Sequence, residues 1–461
     1  MTKLDHTNLP DHLTKGGPGD EYLGDGKIDT SEWFKTPELD KQIQDQEIWF
    51  CAAPFQMIYT NVLGQFNPCS WAQEKYKGPN VNNISMIDYF KHDEELNKMR
   101  KEMTTPGSDL KTCEKVCKDC LFQERNYGRS RRQASLKIQT NDVDLWPGIR
   151  KAVDHFKKNN VGEIGKRIFE IQVKAFGNKC NFDCYMCMPH DSTQRGATLN
   201  HKATVKQNVF NDAALLRSDQ IASINIDDDA MIKQIVKLAP YIYNLKLIGG
   251  EPLVMKNYYK LLQAIVDSGH SKDIILKYQT NMSVLTHGKY TFLDYVDKFE
   301  LFEITVSLDG IGKANDYIRR RGDWEQIKEN IKTLYKYPNV KLNVNGAISF
   351  LSVLRFHELI KWFDDNNHMF TQINWSNIRY PLKLRASVLP EKIKQDLIPK
   401  YKGFPDIQNL LKEETTVGYK DAIDYLLMVD KRYKGTKWEM NLFDVFPELK
   451  EYYVAPEDRL L

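Results

Sequence analysis

From about residue 167 the chain alternates short apolar strands with amphipathic helices, and this limits its fold more than any other feature. Strands are expected at RIFEIQVKAF, NLKLIGG, DIILKYQTN, FEITVSLDG, VKLNVNGAI and TQINWSNIR. Between them, Leu261, Leu262, Ile265 and Val266 form one helical stripe, stopped by Gly269. Trp324, Ile327, Ile331 and Leu334 form another, stopped before Pro338, and Phe356, Leu359, Ile360 and Phe363 a third. Such spacings mark helices packed on a sheet. Strand–helix alternation implies right-handed βαβ crossovers and a parallel sheet. Six βα units are too few to close an eight-stranded barrel. The expectation is therefore an α/β fold built on a partial (β/α)6 TIM-type barrel over 165–385, with function at the C-terminal ends of its strands.

Three regions flank it. Residues 1–47 are rich in Gly, Asp, Lys and Pro with weak periodicity and are expected to be a poorly ordered lead-in. An N-terminal cysteine-rich accessory domain is expected over 48–135, where FQMIYTNVLGQFNPC reads as strand–turn–strand around Gly64 and YFKHDEELNKMRKEM as a charged helix. The basic run GRSRRQASLK has no interleaved aromatic platform, so a solvated connector is favoured over a nucleic-acid patch. Residues 386–461 are expected to be a mostly helical C-terminal extension.

The charge balance, 65 basic against 62 acidic side chains, advertises no nucleic-acid partner. The N-terminal segment has no apolar core of the signal-peptide kind, and no run of 18 apolar residues could span a bilayer. Cytoplasmic localisation is the expectation. In a reducing compartment, clustered thiols point to soft-metal binding or catalysis rather than disulfides.

Cys180, Cys184 and Cys187 stand together in KCNFDCYMCMPH, just after the first barrel strand. Two readings are open: a tetrahedral zinc site completed by His190, or a four-iron cluster left one ligand short. LIGGEPL then places Gly249, Gly250 and Glu251 at the end of the second strand. Paired glycines there admit a ligand close to the backbone, and carbonyls with a carboxylate can grip an ammonium group.

CxxxCxxC after the first strand, GGEP after the second and SLDG after the fourth resemble the radical S-adenosylmethionine (SAM) enzymes. The resemblance implies that Cys180, Cys184 and Cys187 hold a [4Fe–4S] cluster whose open iron chelates SAM. It implies that Gly249, Gly250 and Glu251 face the methionine ammonium, that Ser307 approaches the ribose or carboxylate, and that Arg319 pairs with the carboxylate. Arg320 and Arg321 adjoin Arg319 and compete for that role. Met186 stands where the family usually has an aromatic residue, with Tyr185 one position earlier. In the family, reduction splits SAM into methionine and a 5′-deoxyadenosyl radical that abstracts hydrogen from a substrate.

The N-terminal region is similar to the cysteine-rich part of twitch/SPASM-type members. Its matching residues are Cys51, Cys69, Cys117 and Cys120, with Glu124, Gly128, Ser130 and Arg131. The P-x-x-L segment at 381–384 and FPEL at 446–449 also match such relatives. The four cysteines could close an auxiliary [4Fe–4S] cluster, which the resemblance favours, or a zinc site with four thiolate ligands. Cys113 is left over, either as a buried thiol or in place of Cys117. The resemblance implies a peptide or protein substrate and a reductant such as flavodoxin or ferredoxin. Asn343, Asn345, Glu303 and Thr305 are candidates to line the substrate cavity. The alternatives are the same chemistry on a small molecule or nucleoside, and a non-catalytic zinc-stabilised binding protein.

Overall fold

The computed structural model describes residues 38–72, 76–127, 130–142, 145–166, 169–199, 226–378 and 381–453. Gly128 and most of the expected lead-in lie outside them. The strands in chain order are β1 (Met57–Thr60), β2 (Phe66–Asn67), β3 (Phe169–Val173), β4 (Ile242–Leu247) and β5 (Ile275–Thr280). They continue with the small pair β6 (Thr286–His287) and β7 (Tyr290–Thr291), then β8 (Leu301–Ser307), β9 (Val340–Ile348) and β10 (Gln372–Asn377).

The main sheet runs β10-β9-β8-β5-β4-β3-β1-β2. From β3 to β10 every neighbouring pair is parallel, which is the expected succession of six strands. Helices Lys256–Asp267, Trp324–Tyr335 and Phe356–Asp365 fill the crossovers and bury the stripes read from the sequence, except that Val266 is only half-buried. One face of the sheet is apolar: Leu245, Leu276, Ile304, Val306, Val344 and Ile373 are at most 1% exposed. Burying each such side chain contributes about 1.5–3 kcal/mol. The opposite face alternates with it and carries the polar residues, because successive side chains point to opposite sides of a strand.

The other edge differs from expectation. β1 pairs in parallel with β3, Tyr59 opposite Gln172, and β2 returns antiparallel to β1. The cysteine-rich region therefore extends the barrel sheet and shares its core, with Ile58, Phe66, Phe90 and Met99 in one cluster with Ile171 and Val173. Without β1, β3 would present an open edge of unpaired backbone groups. Local pattern carries no sign of such a pairing. The hairpin itself is as read: Asn61 Oδ1 accepts from the Leu63 and Gln65 amides at 2.9 and 3.0 Å, and Gly64 adopts φ 73°.

A second cluster packs Leu39, Phe50 and Phe55 against Trp146, Ile149 and Phe156. It explains why Glu38–Gln44, inside the expected lead-in, is helical. Asp40 accepts from Trp146 Nε1 at 3.2 Å and pairs with Arg150 at 2.9 Å. Seven residues cannot sustain a helix without such tertiary support. The charged stretch after Met86 forms two helices, Met86–His92 and Glu94–Thr104, because Asp93 caps the second through the Leu96 amide at 2.8 Å. Beyond the sheet follow helices Glu391–Leu397, Pro405–Lys412, Tyr419–Tyr433 and Leu442–Val445. Among the described residues no helix is long and apolar enough to cross a membrane.

Candidate active site

The three cysteines lie on the loop that leaves β3, with Cys180 and Cys184 buried and Cys187 half-buried. The loop is stitched to the segment after β8: the Asp183 amide donates to the Arg320 carbonyl at 3.0 Å and the Tyr185 amide to the Ile318 carbonyl at 3.1 Å. Asp183, fully buried, accepts from Arg195 at 3.0 Å and from Thr198 and Tyr433 at 2.8 Å. Burial, then the nearby Cys187 and Glu251, push the Cys180 thiol up to about 12. Cys187 is raised by its Cys184 neighbour and by burial, with Arg319 opposing. Thiols gathered this way resist ionising until a positive centre joins them, which suits a thiolate-held metal cluster.

The GGEP turn presses on this loop. A Cβ on Gly250 would run into the Asn178 and Lys179 carbonyl oxygens, so only glycine allows the approach. The Glu251 amide donates to the Lys179 carbonyl at 2.8 Å. Its carboxylate accepts from the Leu253 amide at 3.0 Å, Thr280 Oγ1 at 2.7 Å and the Asn281 amide at 2.6 Å. A carboxylate has about four acceptor positions, so Glu251 first joins the ends of β4 and β5 and keeps little for a ligand. Burial holds its pKa above the usual glutamate value, against the pull of these hydrogen bonds and Arg319.

Ser307 ends β8 opposite Asn345 and is 8% exposed. Asp309, two residues on, is no helix cap. Its Oδ1 accepts from the Ala347 amide at 2.7 Å, and its Oδ2 lies 2.8 Å from Arg319 Nε. Arg319 Nη1 is 4.0 Å from Cys184 Sγ. The three consecutive arginines thus divide. Arg319 faces the cysteines, whereas Arg320 pairs with Asp430, reaches Tyr185 OH at 2.7 Å and the Trp438 carbonyl at 3.0 Å. Arg321 lies over the Trp438 ring at 4.2 Å. Tyr185 stacks on Tyr317 with centroids 5.2 Å apart, and both hydroxyls donate to Asp430. FPEL joins the same support, with the Phe446 ring edge-on to Tyr317 and Glu448 paired with Arg355 at 2.5 Å. His190 Nε2 stands 3.5 Å from Asp191, which also takes Lys174 at 2.7 Å, so a carboxylate lies beside its ring.

The second cysteine group comes from three segments. Cys51 precedes the short helix Ala53–Gln56, Cys69 follows β2, and Cys117 and Cys120 flank the start of helix Lys118–Tyr127. Burial, then Cys117 and Cys69, raise the Cys51 thiol. Burial with the other cysteines brings Cys69 to about 11 and Cys120 to about 12. Cys113 is buried beside Cys117, its Sγ 3.8 Å from the Met99 carbonyl. Glu124 ties the segments together: it accepts from Trp49 at 2.7 Å, Ser130 at 2.5 Å and Arg132 at 2.8 and 2.9 Å, while Arg132 also donates to the Phe50 carbonyl. Arg131 stacks over Trp71 at 4.2 Å. Among the described residues no three His, Cys, Asp or Glu side chains form a ready cage for a single ion, so both thiol groups are gathered but not drawn together.

The sequence reading missed Asp183, Asn281 and Asp430. Asp183 lies within the cysteine motif itself and Asn281 directly follows a strand end, which were usable signals. Asp430 sits in a helix with nothing local to mark it.

Residues 175–348 match the family model of the radical SAM superfamily. No curated protein sequence matches the chain. Among solved structures, "Native anSMEcpe with bound AdoMet" aligns at 16% identity and TM-score 0.34, covering 55% of this chain and 64% of that one. Streptococcus suis SuiB bound to S-adenosylmethionine aligns at 14% identity and TM-score 0.31, covering 58% and 50%. SuiB bound to precursor peptide SuiA gives 14%, TM-score 0.32, and 79% and 71%. This chain thus spans under two thirds of the length of the first of these structures. The family match encloses the cysteine loop, GGEP, SLDG and Arg319, and over 175–348 the chain carries a radical SAM domain.

Proposed function

We propose that the protein is a radical SAM enzyme that modifies a peptide or protein, with Cys180, Cys184 and Cys187 as ligands of the SAM-binding [4Fe–4S] cluster. The observation that carries this is the meeting of three strand ends: Gly250 abuts the 178–179 backbone, Glu251 acts electrostatically on Cys180, and Arg319 lies 4.0 Å from Cys184 Sγ. When bound, the cluster and SAM supply reductive cleavage of SAM and hydrogen abstraction from the substrate. The chain's part is to bind and orient. Arg319, with Asp309 at its Nε, keeps its terminal nitrogens for the SAM carboxylate, and a planar fork suits that partner. Gly249 and Gly250 bring carbonyls to the methionine ammonium, with Glu251 holding their turn in place. Ser307 stands at the strand end where the ribose would lie.

Cys51, Cys69, Cys117 and Cys120 hold an auxiliary [4Fe–4S] cluster in this reading. Four half-buried thiols, of which Cys51, Cys69 and Cys120 are each raised by others of the group, fit such a thiolate-bound group. The peptide assignment is supported by the twitch/SPASM-like cysteine pattern and by a polar sheet face left open at Gln279 and Ser376, which are exposed. The test is anaerobic reconstitution followed by dithionite and SAM. The expected result is a brown protein with iron and sulfide that releases 5′-deoxyadenosine; an intact cluster without that product overturns the reading.

A further inference from the structure

One charge on the polar face of the sheet has no hydrogen-bond or ion-pair partner among the described residues. Half-buried Lys246 on β4 sits opposite Gln172 of β3 and Lys277 of β5. Its potential counter-charges are engaged elsewhere: Glu303 pairs with Lys277 at 3.2 Å and accepts from Asn343 at 3.3 Å, and Glu170 accepts from Gln172 at 2.5 Å. Among the described residues Lys246 forms no hydrogen bond or ion pair, only longer-range interactions with Glu170, Arg131, Lys277 and Glu303. Burial lowers its pKa, which Arg131 and Lys277 reinforce and the two glutamates oppose. Arg131 also acts on Cys69, which sets Lys246 on the side of this face nearest the auxiliary cysteines.

Two further groups on the same face are unanswered. Asn244 Oδ1, two positions before Lys246, and Asn343 Oδ1 are buried without a partner among the described residues. Asn343 is three strands away, about 14 Å at the usual strand spacing, a distance that some four extended residues cover. A lone cation with buried acceptors on either side complements a carboxylate flanked by backbone N–H groups. Burying such groups unpaired costs stability, so their presence on this face is better explained by a ligand than by folding.

We propose that Lys246 anchors a carboxylate of the peptide substrate, with Asn244 and Asn343 accepting its backbone N–H groups, which makes the preferred substrate an acidic segment. This rests on the peptide reading above. The test uses cluster-reconstituted protein with SAM and two pools of short synthetic peptides that differ only in carrying Glu or Gln. Each pool is supplied with free and with amidated C-termini, and retention is measured by dialysis and mass spectrometry. Wild type should retain the Glu pool over the Gln pool by about tenfold or more. Lys246→Met should erase that preference and Lys246→Arg keep it, while Lys246→Met raises the ligand-free melting temperature. Retention that follows the free C-terminus rather than Glu also supports the anchor and assigns the carboxylate to the peptide's end. Equal retention of all pools by wild type, or a preference that survives Lys246→Met, overturns it. Release of 5′-deoxyadenosine without peptide, measured in the same variants, judges the radical SAM reading separately.

Discussion

The two cysteine groups are built by opposite strategies. Cys180, Cys184 and Cys187 share one loop at the end of β3, so their proximity is local, and tertiary structure supplies only the support. Cys51, Cys69, Cys117 and Cys120 have no local proximity beyond the last two, and the fold of β1, β2 and helix Lys118–Tyr127 creates it. Each group is braced by a buried acid–arginine pair. For the trio, Arg320 with Asp430 brings in the C-terminal extension; for the quartet, Arg132 with Glu124 joins neighbouring parts of one region. A local motif can thus be anchored from far along the chain, while a dispersed one is locked close at hand.

The largest expected effect separates the groups chemically. Cys180→Ala should lose about four irons per chain and all 5′-deoxyadenosine release. Cys120→Ala should lose a similar amount of iron and still cleave SAM, as read by metal analysis and chromatography. Loss of cleavage in Cys120→Ala with the trio's cluster intact would end the division of labour.

Next in size is Arg320→Met, which strands the Asp430 carboxylate. Breaking a buried pair by removing one partner costs about 3–5 kcal/mol, to be measured by urea unfolding. Adding Asp430→Leu should restore much of it, since an apolar pair carries no stranded charge. An Arg320→Met chain of unchanged stability would mean that the extension does not brace the trio.

Glu124→Gln weakens the corresponding brace of the quartet and should cost about 2 kcal/mol, a charge-assisted bidentate pair being lost. Burial raises the Glu124 pKa, but Arg132, Ser130 and Trp49 outweigh it and hold it below the usual value. Its contribution is complete above the unfolded glutamate pKa of about 4.3 and is lost as pH falls through the folded value. Wild type should therefore lose stability more steeply than Glu124→Gln in that acid window, and parallel pH curves would contradict the assignment.

The smallest effect is expected from His190→Gln: unchanged iron content and SAM cleavage, with stability within about 0.5 kcal/mol. Metal loss in that variant would return His190 to the ligand set and revive the zinc reading.

Much of the barrel was legible. VKLNVNGAI is β9, and all six expected strands occur in order, because alternation and helical stripes are properties of contiguous residues. The GGEP turn was legible in place but not in role. Nothing local shows that Gly250 meets the cysteine loop or that Glu251 spends its acceptors on Leu253, Thr280 and Asn281. Three adjacent arginines looked equivalent in sequence and differ completely in partners, because each points in a different direction from the end of one short helix.

Sequence by itself determined the strand–helix succession, the three-thiol loop and the positions of the glycine turn, all of which depend on spacing within a few residues. Only the tertiary structure decided that β1 would close the edge of β3, that four scattered thiols would be gathered into one region, and that Asp430 would support a loop far from it in the chain. It also left Lys246 without a hydrogen bond or ion pair among the described residues, with only longer-range interactions. These outcomes depend on which distant surfaces can bury backbone edges and charges together, and no short window of residues carries that information.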